Sequence, residues 1–129
     1  MDNLDWFHSL NSPVYSPPDW IFMPVWTILY IFIGISLYLF IQDGFSKGKT
    51  IPLLFFALQL FFNFMWSIIF FSWQNIFLAF IDVVLLLITI IITIFMFYKY
   101  SKLSAYFLIP YLLWVFFATI LNFGYLILN

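Results

Sequence analysis

Three groups of side chains in this sequence have types and spacings that could do chemistry. Gln59 and Asn63 stand four residues apart with Trp66 three further on, so at 3.6 residues per turn two amides and an indole share one helix face. Tyr111, Trp114, Ala118, Asn122 and Tyr125 follow at spacings of 3, 4, 4 and 3 and make a second stripe. Within it Ala118 leaves a hollow between two large groups, where a flat ligand or another helix could approach. Phe22, Trp26, Tyr30 and Gly34, each four from the last, make a third face. Such faces offer stacking and hydrogen bonding; they do not offer proton transfer or metal ligation. A plainer reading stands beside each. The amides could simply bond neighbouring helices, at about 0.6–2 kcal/mol apiece. An aromatic stripe could be packing, or a belt at the membrane interface. Tyr125 suits a belt, but Trp114 lies too far from its helix end for one.

What the sequence lacks narrows the chemistry further. It has no cysteine, glutamate or arginine, and His8 is its one histidine. The acids are Asp2, Asp5, Asp19, Asp43 and Asp82, of which only Asp82 falls inside a hydrophobic run. A metal site needs several His, Cys or carboxylate ligands together, so no metal and no required cofactor is expected. A Ser-His-Asp triad or a carboxylate pair is equally improbable. Four lysines and a net charge of −1 give no basic patch, which argues against nucleic acid as a partner. Asp82 is expected to be held by another helix or carried as the neutral acid. The structural reading is preferred to a proton relay, because no second ionisable group falls in the spans.

The elements that must position these faces are membrane helices. Of the 129 residues 67% are hydrophobic and 7% charged, against about 25% charged in a soluble domain, so most of the exterior must face lipid. Four apolar runs, near 20–41, 51–72, 76–98 and 103–128, are each long enough to cross a hydrocarbon core, which takes roughly 20 helical residues. The expected fold is an all-α integral membrane bundle of four transmembrane helices, one domain over 1–129. Residues 1–19 lack the positive and apolar regions of a signal peptide and read as an extended surface segment with Pro13, Pro17 and Pro18. Pro24, Pro52 and Pro110 mark helix starts or kinks. Lys47, Lys49, Lys99 and Lys102 all fall in the first and third connections, which four spans put on one side. The positive-inside rule makes that side cytoplasmic and leaves both termini outside.

Read together, several motifs resemble one family. Trp6-Phe7-His8-Ser9-Leu10 through Pro13, Pro17-Pro18-Asp19-Trp20, and Pro24-Val25-Trp26-Thr27-Ile28-Leu29-Tyr30 are similar to the W-Y-x-x-L, P-P-x-W and P-x-W-x-x-L-Y block of the TspO/MBR (translocator protein, tryptophan-rich sensory protein) family. Gln59-Leu60-x-x-Asn63-x-x-Trp66 with Phe70-Phe71, Ala79-x-x-Asp82, and Pro110-Tyr111-x-x-Trp114-x-x-Phe117-Ala118-Thr119-x-Leu121-Asn122 resemble its later helices in the same order. Phe7 stands where the family has Tyr. Family members have five transmembrane helices, and here only five residues precede Trp6. The resemblance therefore implies either a four-helix variant or a start placed downstream of the family's first helix.

The resemblance implies a ligand pocket in the bundle, lined by Phe22, Trp26, Tyr30, Gln59, Asn63, Trp66, Tyr111, Trp114, Ala118 and Asn122. It implies a lid containing Trp6, Pro13, Pro17, Pro18 and Trp20. The implied ligands are flat and hydrophobic, porphyrin and haem above all. The implied role is sensing, regulation or transport, in a bacterial cytoplasmic membrane and as a homodimer. Light-dependent porphyrin breakdown, with Trp26 and Trp114 as electron donors, and a ligand-free interaction scaffold are the alternatives. A cholesterol motif has no match near the C-terminus, because no Lys or Arg follows Tyr125; Lys102, Tyr106 and Leu108 fit only the weaker reversed pattern.

Overall fold

A computed structural model describes residue 6 and residues 9–14, 19–42, 44 and 47–129 of the chain. After a 3-10 turn at Asp19–Ile21, helix α1 runs Phe22–Ile41, α2 Thr50–Ser67, α3 Ile76–Tyr98, α4 Lys102–Phe107 and α5 Ile109–Leu128. Among the described residues four helical stretches are long and apolar enough to cross a membrane: Met23–Ile41, Thr50–Ser72, Ile76–Tyr98 and Lys102–Leu128. The protein is an integral membrane helical bundle, as its composition requires. Its outer surface carries large apolar side chains such as Ile31, Leu54, Phe61, Ile88, Phe95 and Phe116, which only lipid can cover without penalty.

Two of the spans depart from the runs read in the sequence. The fourth is not continuous: α4 ends at Phe107, and α5 begins after Leu108. Pro110 is the cause. It has no N–H to donate, and its ring crowds the carbonyl four residues back. The Leu108 N–H turns to the Ala105 carbonyl at 3.0 Å, which tightens the last turn of α4. The second span widens at its end into a π-helical turn, Ile68–Ser72, where the Trp73 N–H donates to the Ile68 carbonyl at 2.9 Å. Gln74 then takes a positive φ of 54° in the tight turn. Asn75 caps α3, its side-chain oxygen accepting from the Leu78 N–H at 2.9 Å, so one of the four free donors at that helix start is satisfied.

Between helices in lipid, packing and hydrogen bonds replace the hydrophobic driving force. α2 packs along α3, α3 against α4 and α5, and α1 against α4. The α1–α4 contact is a serine clamp. Ser36 Oγ donates to the Ser104 carbonyl at 2.7 Å, and Ser104 Oγ donates to the Ser36 carbonyl at 2.6 Å. Both residues are fully buried, and their small side chains let the two backbones approach. Phe97 is sandwiched between Phe40, at 3.9 Å between ring centroids, and Phe56, at 5.6 Å.

The two lysine-bearing connections meet at one end of the bundle, where Gly48, Pro52, Lys99 and Tyr100 line a small cleft. Lys49 is not a solvated charge. It is buried, donates to the carbonyls of Phe40 at 2.6 Å and Gly44 at 3.0 Å, and lies 5.1 Å from the Phe40 ring centroid. It thereby caps the carbonyl end of α1, where a cation also complements the helix dipole. The turn at Trp73–Asn75 occupies the opposite end. The sidedness is expected to show in intact cells: a cysteine at Gln74 should react with an impermeant maleimide and a cysteine at Ser46 should not. Labelling of Ser46→Cys alone would reverse the assigned orientation.

Candidate functional site

α1, α2 and α5 bring the three faces toward one another in the half of the bundle that holds the Trp73–Asn75 turn. Between them lies a cavity of about 680 Å³, a size typical of small-molecule sites, which run about 300–1,000 Å³. Of the residues expected there, Trp26, Tyr30, Asn63, Trp66, Trp114, Ala118 and Asn122 line it. The side chain of Phe22, and Pro17 and Pro18, lie outside the described residues.

Gln59 and Tyr111 do not line the cavity; they stand behind its wall. Both are buried, with exposures of 1% and 0%, and they end a hydrogen-bonded chain that begins at the cavity. The Tyr30 hydroxyl donates to Asn63 Oδ1. Asn63 Nδ2 donates to the Tyr111 hydroxyl at 2.8 Å, and that hydroxyl donates to Gln59 Oε1 at 2.7 Å. The chain ties α1, α2 and α5 together and fixes which way the Asn63 amide faces. Of the two α2 amides, Asn63 lines the cavity with both its amide atoms in interhelical hydrogen bonds, and Gln59 makes an interhelical hydrogen bond alone. Gln59 Nε2 and Asp82 Oδ2 have no hydrogen-bond partner among the described residues, so the interhelical bond expected of Asp82 is not one that its Oδ2 makes there.

A second polar knot holds the opposite wall. Trp66 Nε1 donates to Asn122 Oδ1 at 2.9 Å, and Asn122 Nδ2 donates to the Ile76 carbonyl at 3.2 Å. Asn122 therefore joins α2, α3 and α5 with both ends of its amide. Asn122→Ala is expected to cost ligand-free stability about 1–3 kcal/mol, the usual cost of stranding buried partners. Thermal unfolding in detergent measures it; an unchanged midpoint with lost ligand binding would show that the amide serves the ligand alone.

The aromatic walls meet at right angles. The Trp26 and Trp114 rings lie 6.5 Å apart with an interplanar angle of 88°. Trp26 also touches Tyr30 at 5.7 Å and Tyr111 at 6.5 Å. These are the offset and edge-to-face contacts that aromatic quadrupoles favour. Met23, Phe64, Ser67, Ile68, Phe70, Phe71, Leu121 and Tyr125 complete the lining. Ser67, Phe70 and Phe71 continue the Asn63 face at four, seven and eight residues, a periodicity that could have marked them. α1 and α2 share no extended packing; they touch through Tyr30, whose ring stacks on Phe64 at 6.3 Å. Met23, Phe64 and Ile68 line the cavity and are exposed.

Part of the N-terminal segment is anchored at the same end. Trp6 packs edge-on against Phe70 at 5.6 Å. The Asn11 N–H donates to Asn129 Oδ1 at 3.1 Å, Asn129 Nδ2 donates back to the Asn11 carbonyl at 3.0 Å, and Ser12 Oγ pairs with the Tyr125 hydroxyl at 3.1 Å. Pro13 is buried, whereas Trp20 is 73% exposed and is not among the residues lining the cavity. No group of three or more His, Cys, Asp or Glu among the described residues could hold a metal ion. The arrangement can enclose a flat apolar molecule and stack on it.

Comparison with known proteins agrees with this architecture. The family model described as TspO/MBR family matches residues 1–128. The chain is 43% identical over 124 residues to the tryptophan-rich protein TspO of Archaeoglobus fulgidus, covering 96% of this chain and 80% of that protein. It is 35% identical to the translocator protein of Homo sapiens, over 95% of this chain and 73% of that one. It is 31% identical to the tryptophan-rich sensory protein of Cereibacter sphaeroides, over 97% of this chain and 77% of that one.

Proposed function

This chain belongs to the TspO/MBR family, and from that premise we propose that it binds a porphyrin- or haem-type tetrapyrrole in the cavity between α1, α2 and α5, as a sensor, regulator or carrier. One observation carries the reading: a cavity of about 680 Å³ walled by Trp26, Tyr30, Trp66 and Trp114. A macrocycle is flat and polarisable, and perpendicular indoles present it with both a ring face and a ring edge. The supporting polar groups orient the walls, and none of the lining residues supplies an acid–base pair. Titration of the purified protein with protoporphyrin IX and with haem tests the reading. Saturable binding with a shifted Soret band is expected; failure to bind either would leave an interaction scaffold as the better account.

A second reading, light-driven breakdown of the bound porphyrin, is favoured by the contact of Trp26 with Trp114 at the cavity wall. Either indole could give an electron to an excited ring. Illumination separates the two. A bound product formed faster than in protein-free porphyrin supports breakdown, and bleaching at the protein-free rate supports binding alone.

A further inference from the structure

The end of the bundle away from the cavity carries the basic charge of the chain. Residues 42–50 and 99–102 hold all four lysines against one acid, Asp43. Lys49 turns inward, to the carbonyls of Phe40 and Gly44. Lys99 and Lys102 are exposed, and their settings differ. Lys102 Nζ lies 5.7 Å from the Tyr98 ring centroid, and Lys102 is not among the residues lining the small cleft at this end. Lys99 does line it, together with Gly48, Ile51, Pro52, Met96 and Tyr100. The cleft holds about 200 Å³. That is below the range of about 300–1,000 Å³ that suits drug-sized ligands, and it suits a head group.

Tyr100 is held in place at this cleft. Its ring meets Phe40 edge-on at 5.4 Å and lies 5.8 Å from Lys49 Nζ. Its hydroxyl rests on Gly48, where a Cβ would collide with it. Apart from Lys99 and Tyr100 the side chains of the lining are apolar: Ile51 and Pro52 from the start of α2 and Met96 from the end of α3. α3 has 23 residues, about 35 Å at 1.5 Å per residue, against a hydrocarbon core of about 30 Å. Lys99 directly follows its last residue, so it stands where acyl chains give way to head groups. Met96, three residues earlier, stands at the level of the chains.

We propose that this cleft binds the head group of one anionic phospholipid. Lys99 meets the charge of the phosphodiester, the Tyr100 hydroxyl donates to one of its oxygens, and the first carbons of an acyl chain run along Ile51 and Met96. Basic pockets between membrane helices take anionic head groups in this way, and a lysine near an anionic surface contributes about 1 kcal/mol. A free phosphate would use the cation and the hydroxyl and leave the apolar wall bare, so the lipid is the favoured source.

Native mass spectrometry of the whole chain in detergent measures the affinity of the first lipid retained. Dioleoylphosphatidylglycerol is set against dioleoylphosphatidylcholine, which has the same chains and phosphate but carries a compensating ammonium. Phosphatidylglycerol is expected to bind at least about tenfold more tightly. Lys99→Gln should bring the two lipids to within roughly threefold of each other. Lys102→Gln removes the same charge three residues away, outside the cleft, and should lower the preference by less than about threefold. Both lysines are exposed, so this comparison does not hang on folding. Gly48→Ala removes no charge but drives the Tyr100 hydroxyl from its place, and should weaken phosphatidylglycerol binding at least about threefold. The proposal is overturned if the two lipids bind alike, or if Lys102→Gln costs as much as Lys99→Gln, which would mark diffuse attraction and no site. It is overturned equally if Gly48→Ala folds and binds as the wild type does. Displacement of the lipid by inorganic phosphate at millimolar concentration would make the occupant a soluble anion and overturn the lipid assignment.

Discussion

Replacing Trp26 by alanine is expected to weaken tetrapyrrole binding by about 1–3 kcal/mol, roughly five- to 150-fold. Trp26 is half-buried on α1 and reaches the cavity between Tyr30 and Trp114. Truncation removes a large stacking surface and also the side support of the Trp114 ring, so the wall it forms is lost at two places. Trp26→Phe keeps most of the apolar face and should retain most of the affinity. The control is Phe95→Ala on α3, a side chain 69% exposed on the lipid side. Equal losses at Trp26 and Phe95, measured by the same titration, would show that the cavity is not the binding site.

The second large effect is expected at Ala118. Ala118→Leu should reduce tetrapyrrole affinity at least tenfold, about 1.4 kcal/mol, with little change in ligand-free thermal stability in detergent. Ala118 stands one turn from Trp114 and one turn from Asn122 on α5, lines the cavity, and is only half-buried. A larger side chain there enters open space and not a packed contact, so the overpacking penalty of about 1–3 kcal/mol that a closed helix interface would exact is avoided. The same methyl groups occupy volume that a ring must use. A large fall in ligand-free stability would instead place Ala118 in a helix contact, and unchanged affinity would remove it from the site.

The parts of this fold that could be read from sequence are those where polarity contrasts with lipid. Gln59, Asn63 and Asn122 are costly in hydrocarbon, so they had to face inward, and all three are buried, Asn63 and Asn122 at the cavity and Gln59 behind it. Phe64, Ile68 and Leu121 line the cavity too, yet nothing in their chemistry distinguishes them from lipid-facing Phe61 or Phe116. In a bilayer an apolar side chain is equally at home on either side of the helix, so periodicity loses its usual signal. The depth of Gln59 and Tyr111 was hidden for a related reason. Spacing places a residue on a face but does not say whether that face ends at a cavity or at another side chain. The break at Leu108 was foreshadowed by Pro110, whereas the π-helical turn at Ile68–Ser72 has no residue that announces it. Lys49 was legible as a topological charge and illegible as a cap, because its partners are backbone carbonyls contributed by Phe40 and Gly44.

The interruption at Leu108 makes the fourth span two levers with a joint between them. One lever, α4, is pinned to α1 by the reciprocal serines Ser36 and Ser104. The other, α5, carries Trp114, Ala118, Asn122 and Tyr125 to the cavity. A continuous helix would transmit any load applied at Ala118 straight down its hydrogen-bond ladder to Ser104. Pro110 removes one rung of that ladder, so a guest that pushes α5 outward spends its force at the joint, and the clamp to α1 holds its register. The one membrane crossing thus divides into a segment clamped to α1 and a segment that lines the cavity, with the lost rung between them.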